Sequence, residues 1–241
     1  MSPLNSSPLD SKPLARKPIL CYVTDRRSFL AASQKDLLDP LLERIELAAA
    51  AGVDWIQLRE RDLSGKQYAS LTREAVDRVL QQAGHAKVRT RILVNDRLDV
   101  ALAEQAGGVH LGENSLPVQE TRRLLAASPA AKSVPRGFFA GVSSHSLEAA
   151  QSAASAGADY IFFGPVFATP SKAAYGAPQG LDRLAQLCTS VAIPVLAIGG
   201  ITLENAPACF SAGASGIAAI RLFQDSTNPA SIVRAIRPQR F

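Results

Sequence analysis

The chain has 241 residues and a formal net charge of +5; apolar residues make up 47% and charged residues 20%. That length allows one or two domains at roughly 100–200 residues each, and this apolar content excludes global disorder. No apolar run approaches the ~18 residues of a membrane span. Cys21, Cys188 and Cys209 are scattered, so they form neither a disulfide framework nor a CxxC metal spacing, which suits a reducing cytoplasm. His85, His110 and His145 are too few and too dispersed for a histidine metal cluster. The mild positive charge fits an anionic small substrate. No Lys/Arg block or interleaved aromatic set points to nucleic acid, and nothing in the sequence sets an oligomeric state.

Residues 1–17 are rich in Pro and Ser and carry no apolar periodicity. They read as a disordered arm ahead of a single domain over 18–241, and they contain no secretory h-region.

From residue 19 the chain alternates short apolar runs with amphipathic stretches. The runs are 19–25, 55–60, 91–96, 108–112, 138–144, 160–165, 194–200 and 216–223. Each is short and several are β-branched or aromatic, as strands buried on both faces require. The stretches between them have helical spacing. Four local repeats stand between a helix and the next strand: Ala51-Gly52-Val53-Asp54, Ala106-Gly107-Gly108-Val109, Ala156-Gly157-Ala158-Asp159 and Ala212-Gly213-Ala214-Ser215. Gly at this position ends a helix in the left-handed conformation. Ser146, Asn205 and Asn228 stand at expected N-caps. Eight such units predict an α/β fold, a (β/α)8 TIM barrel, with an open doubly wound sheet as the runner-up.

In a barrel of this kind function collects at the C-terminal ends of the strands. Strand 1 ends in Thr24-Asp25. Gln57, Arg59 and Arg61 follow at period-two spacing on strand 2, which places an amide and two cations on one face as a candidate anion site. The alternative is that the two arginines pair with Glu60 or Asp62. Strand 3 ends in Asn95-Asp96. Asp96 either faces a diphosphate as a Mg²⁺ ligand or caps the following helix. Strand 4 carries His110, followed by Glu113 and Ser115, and strand 5 ends in Ser143-Ser144-His145. The adjacent Ser and His there are not a triad, because neighbouring strand residues point to opposite faces. The loop after strand 6 is long and holds Thr169, Ser171 and Lys172, two hydroxyls and an ammonium suited to phosphate. Gly199-Gly200 after strand 7 admits close backbone approach to an anion, and Ile220-Arg221 closes the ring at strand 8.

The segments CYVTD, WIQLRERD, LVNDRLDVALAEQAGGVHLGENSLP, GVSSHSLEAA, GADYIFFGPVFATPSK and IPVLAIGGITLENA resemble the thiamine-phosphate synthase family, in its order and spacing, over about residues 20–223. The resemblance implies a TIM barrel that condenses an aminopyrimidine diphosphate with a hydroxyethylthiazole phosphate, releasing pyrophosphate. It also implies a dissociative reaction, in which diphosphate departs before the thiazole nitrogen attacks. Gln57, Arg59, Asn95 and Lys172 match the family's diphosphate and pyrimidine contacts, with Asp96 as the Mg²⁺ ligand. Ser143 matches a serine that contacts the pyrimidine diphosphate. The catalytic set implied is therefore Arg59, Ser143 and Lys172. Thr169, Ser171 and Gly200 match the thiazole-phosphate contacts, with Ile220 and Arg221 at the end of strand 8.

Several positions depart from the family pattern. Arg61 stands for Lys, Ser171 for Thr and Arg221 for Ser. Glu113 and Ser115 stand for Gln and Asp, and that Asp is a second Mg²⁺ ligand in the family. Either Glu113 or water takes its place. Arg221 either adds a charge contact or crowds the pocket. The related thiazole tautomerase shares the thiazole-phosphate pocket but needs no diphosphate departure; there His145 is the candidate general acid/base. A non-catalytic phosphate-binding barrel is the third reading. The expected partners are the phosphorylated pyrimidine and thiazole, with no nucleic acid or membrane.

Overall fold

The computed structural model describes residues 17–29, 37–83, 90–128, 137–169 and 177–237. The proposed arm, apart from Lys17, lies outside the described residues, as do His85, Ser171 and Lys172.

Eight strands alternate with helices. In chain order they are β1 (Ile19–Val23), α1 (Leu38–Ala50), β2 (Trp55–Leu58), α2 (Gly65–Ala83), β3 (Arg91–Asn95), α3 (Leu98–Ala103), β4 (Gly108–Leu111) and α4 (Val118–Ala127). There follow β5 (Phe139–Ser144), α5 (Leu147–Ser155), β6 (Tyr160–Phe163), α6 (Gly180–Ser190), β7 (Val195–Ile198), α7 (Ala206–Ser211), β8 (Gly216–Ala219), α8 (Arg221–Gln224) and α9 (Pro229–Ile236). Every strand pairs in parallel with the next, and β8 pairs with β1, so the sheet closes. The expected (β/α)8 barrel is the observed fold, and the open sheet is excluded.

Alternation along the strands sorts the core into two layers. Leu20, Tyr22, Ile56, Leu58, Val94 and Ile161 point outward and pack under the helices. Cys21, Val23, Trp55, Leu93, Tyr160, Phe162 and Leu196 point inward and fill the lumen. The lumen is thus a packed aromatic core and not a channel. Gly141 makes this packing possible. A Cβ there would stand 1.9 Å from Cζ of Tyr160, so only glycine lets that ring cross the barrel.

The repeats work largely as read. Gly52, Gly157 and Gly213 take positive φ after α1, α5 and α7. The second repeat differs. Gln105 takes the left-handed conformation after α3, while Gly107 does not. A Cβ on Gly107 would lie 3.2 Å from the Arg91 Cβ, so its role is close packing. The aspartates of two repeats share one task. Asp54 Oδ2 accepts from the Leu20 backbone N–H at 2.8 Å, and Asp159 Oδ2 accepts from the Ala140 N–H at 2.7 Å. Each ties the start of a strand to the preceding one at the barrel floor. Ser146 and Asn228 cap α5 and α9 by accepting from Ala149 N and Ser231 N. Asn205 stands at the N-cap of α7 but makes no cap bond; its side chain serves the preceding turn instead.

β2, β7 and β8 are among the strands that end earlier than their apolar runs suggest. β2 stops at Leu58, which puts Arg59 and Arg61 in the following turn. The period-two argument therefore reaches Gln57 alone. β8 stops at Ala219, so Arg221 opens the short helix α8 and is exposed. β7 stops at Ile198, leaving Gly199-Gly200 as a turn.

Candidate functional site at the C-terminal mouth of the barrel

Polar groups replace the aromatic lumen at the C-terminal ends of β2 to β5. Gln57 is buried, and its Nε2 donates to Asn95 Oδ1 at 2.9 Å. Asn95 Nδ2 in turn donates to Asp96 Oδ2 at 2.7 Å. An amide–amide–carboxylate chain thus runs from the interior to the mouth. It orients the Asn95 amide, whose O/N assignment follows from the network. Tyr68 of α2 braces the same strand ends. Its hydroxyl donates to the Leu58 carbonyl and accepts from the Asn95 N–H at 3.0 Å.

Asp96 has φ +61 and is exposed. Its Oδ1 accepts from the Ser115 hydroxyl and, at 3.4 Å, from the Gly112 N–H. The N-cap of α3 is Arg97, so Asp96 does not cap that helix. The positive φ is uncommon away from glycine, although Asp tolerates it better than most residues. It turns the carboxylate toward the β4 loop. Glu113 points elsewhere: its Oε1 accepts from the His145 backbone N–H at 3.3 Å. Among the described residues no three His, Cys, Asp or Glu side chains gather as a metal cage.

On the β1–β2 side, Glu60 and Asp62 are both engaged by Arg26, at 2.9 and 2.7 Å. Glu60 is buried and also accepts from Thr24 Oγ1 at 2.6 Å. Thr24 Oγ1 accepts from the Arg59 backbone N–H at 3.0 Å. The Glu60 carboxylate thereby holds, through Thr24, the backbone that carries Arg59. Gln224 of α8 secures the neighbouring loop. It accepts from Tyr22 OH and Asp25 N, and it donates to the Asp25 carbonyl and Ser28 Oγ.

Across β4 to β6, His110 is buried between two partners. Its Nε2 lies 2.8 Å from Ser143 Oγ and its Nδ1 3.0 Å from Tyr160 OH. Burial lowers its pKa from 6.5 to about 3, with Asp96 opposing that shift and Arg59 reinforcing it. The ring is therefore neutral at physiological pH. His145 hydrogen-bonds the Gly164 carbonyl through Nδ1.

The β6 and β7 turns lock together. Val166 N donates to the Ile198 carbonyl at 2.8 Å and Phe167 N to the Gly199 carbonyl at 3.1 Å. Gly200 has φ +68, and a Cβ there would sit 2.7 Å from the Ala168 carbonyl oxygen. Asn205 fixes the far side of the turn, donating to the Gly200 carbonyl at 2.9 Å and accepting from Thr202 N at 2.8 Å. Thr169 is the described residue that precedes 170–176, which lie outside the described residues, and Ile220 is half-buried at the end of β8.

The structure thus brings Gln57, Asn95 and Asp96 into one chain and places Ser143 against His110. The bracing set of Thr24, Glu60, Tyr68, Tyr160 and Gln224 was not anticipated from the sequence as site residues. Only the position of Thr24 at a strand end signalled it.

Fold and site together define a (β/α)8-barrel protein with a polar mouth rimmed by a carboxylate, a hydroxyl and a glycine turn. A family model described as thiamine monophosphate synthase matches residues 21–223, and the chain belongs to that family. A putative thiamine-phosphate synthase from Geobacter sulfurreducens is 42% identical over 217 residues, covering 90% of this chain and 92% of that one. The thiamine-phosphate synthase of Methanoculleus marisnigri is 42% identical over 191 residues, covering 79% and 83%. The solved thiamine phosphate pyrophosphorylase from Pyrococcus furiosus superposes with a TM-score of 0.73 at 29% identity, covering 93% of this chain and 96% of that one.

Proposed function

We propose that the chain is a thiamine-phosphate synthase, a transferase of thiamine biosynthesis. It joins 4-amino-2-methyl-5-(diphosphooxymethyl)pyrimidine to hydroxyethylthiazole phosphate. The products are thiamine phosphate and pyrophosphate. Membership of the family supports this reading, and the observation that carries it is the Gln57–Asn95–Asp96 chain ending at the mouth.

In this reaction the methylene C–O bond breaks and its electron pair leaves with the diphosphate. The resulting pyrimidine-methyl cation then takes the thiazole nitrogen lone pair, forming the C–N bond. No protein nucleophile is needed. The protein stabilises the departing charge and holds the second substrate in line. Arg59, Ser143 and Lys172 are assigned to the diphosphate, with Arg61 supplying further positive charge. Gln57 and Asn95 orient the pyrimidine end. Thr169, Ser171, the Gly200 turn, Ile220 and Arg221 are assigned to the thiazole phosphate.

The donor set at Asp96 fits Mg²⁺, which takes one or two carboxylates plus phosphate oxygens and keeps water. Asp96 would hold it, with the Ser115 hydroxyl beside it. When bound, the ion neutralises charge on the leaving diphosphate. The same reading places the protein in the cytoplasm with its phosphorylated substrates, in keeping with three unpaired cysteines.

The test is to incubate the protein with both substrates and Mg²⁺ and to follow both products. Equal formation of thiamine phosphate and pyrophosphate is expected. Tight thiazole-phosphate binding without product would overturn the reading in favour of the tautomerase or a non-catalytic barrel.

A further inference from the structure

The His110 ring is wholly enclosed. It stacks on Tyr160 with ring centroids 5.6 Å apart and lies 4.3 Å from the Phe162 ring. Both nitrogens are hydrogen-bonded. A neutral imidazole has one N–H and one bare nitrogen, so the tautomer decides which way both bonds run.

Two arrangements are open. In the first, Tyr160 donates its O–H to Nδ1, Nε2–H donates to Ser143 Oγ, and the Ser143 proton is free. In the second, Nδ1–H donates to the phenol oxygen and Ser143 spends its proton on Nε2. Ser143 could then only accept, and the Tyr160 proton would lack a partner. Among the described residues the Tyr160 hydroxyl meets His110 Nδ1 as its hydrogen-bond partner. Tyr160 is 1% exposed, and a buried phenol O–H requires an acceptor. The phenol is also the better donor of the pair, and a bare imidazole nitrogen the better acceptor. Both considerations select the first arrangement.

We infer that Tyr160 holds His110 in the Nε2–H tautomer, so that the Ser143 hydroxyl is left free to donate to an anionic oxygen at the mouth. Tyr160 and His110 are positioning residues and act through Ser143. The part concerning the anion rests on the proposed synthase reading. The tautomer itself does not.

The packing shows that this placement depends on a specific vacancy. Gly141, beside Tyr160 in the β5–β6 register, leaves the space that the phenol ring occupies. Burial keeps the phenol protonated and the imidazole neutral, so the arrangement persists across physiological pH.

The first test is ¹⁵N NMR of the substrate-free protein with labelled histidine. The chain has three histidines, and a His110→Gln variant assigns the signal. The expected state is Nε2–H; Nδ1–H would overturn the inference whether or not the protein is a synthase. The second test is Tyr160→Phe, which removes only the hydroxyl. The spectrum should change to a mixture of tautomers. The kcat should fall roughly tenfold with the KM for thiazole phosphate unchanged, the scale of one hydrogen bond to a charged group. In a Ser143→Ala background the same change should have no further effect on kcat. An unaltered tautomer in Tyr160→Phe, or a full kcat loss persisting without Ser143, would remove Tyr160 from this role. If the NMR result holds and no turnover is seen, the synthase reading fails and the tautomer assignment stands.

Discussion

Ser115 donates its hydroxyl hydrogen to the Asp96 carboxylate across the β3–β4 mouth. Where the resemblance leads one to expect a second acid, this protein places a neutral donor. The local consequence is a single negative charge, held by Ser115, Asn95 and the Gly112 N–H.

Ser115→Asp should therefore tighten Mg²⁺ binding, because carboxylate count tunes affinity for hard cations. We expect the Mg²⁺ concentration for half-maximal pyrophosphate release to fall by roughly tenfold. Titration with Mn²⁺, followed by its paramagnetic signal, checks the same change without turnover. Asp96→Ala should cost at least about 100-fold in kcat, the scale of losing one charge-stabilising group. Full activity of that variant at saturating metal would sink the role given to Asp96.

His110 predicts an acid limb in stability. Its folded pKa is lowered to about 3 by burial, whereas the unfolded chain protonates near the ordinary 6.5. Between those values the unfolded state binds a proton that the folded state does not, so stability falls as pH falls. The slope reaches about 1.4 kcal/mol per pH unit well inside that window. Urea unfolding at pH 7, 5.5 and 4.5 measures it, and His110→Gln should flatten its share.

Gly141→Ala should be severe. The added methyl would overlap the Tyr160 ring, which must then move or displace β5. A loss of about 3 kcal/mol is expected, at the upper end of overpacking costs. Combining it with Tyr160→Leu should recover part of the melting temperature.

Glu60→Ala removes the buried partner of Arg26 and the acceptor of the Thr24 hydroxyl. Breaking a buried pair costs about 3–5 kcal/mol, and the smaller figure applies because Arg26 retains Asp62. The KM for the pyrimidine diphosphate should also rise, since Thr24 positions the Arg59 backbone. Thr24→Val, which leaves the carboxylate in place, should raise KM with less loss of stability.

Some of the site was legible because it depends only on position in a repeating unit. Asn95 and Asp96 end a strand in a barrel, and a strand end in this fold faces the mouth. Arg59 and Arg61 were misplaced on β2 for the same reason in reverse. Alternation cannot say where a strand stops, and pairing with β3 ends at Leu58. Gly107 shows the same limit, since its sequence neighbourhood matches the other helix-ending glycines while Gln105 takes the turn. Nothing in the local sequence couples His110 to Ser143 and Tyr160, which lie 33 and 50 positions away.

The sequence alone determined the eight-unit barrel, the strand ends that carry polar residues, and the resemblance to one enzyme family. Burial on both strand faces, glycine-terminated helices and short returns have few other solutions, and all of them are read within a dozen residues. Tertiary structure alone decided which of those polar groups meet. It joined Ser115 to Asp96, Glu60 to Thr24 and Tyr160 to His110, because closing the sheet brings separate strands to one mouth, and for the last two pairs burial leaves each polar atom few partners to choose from.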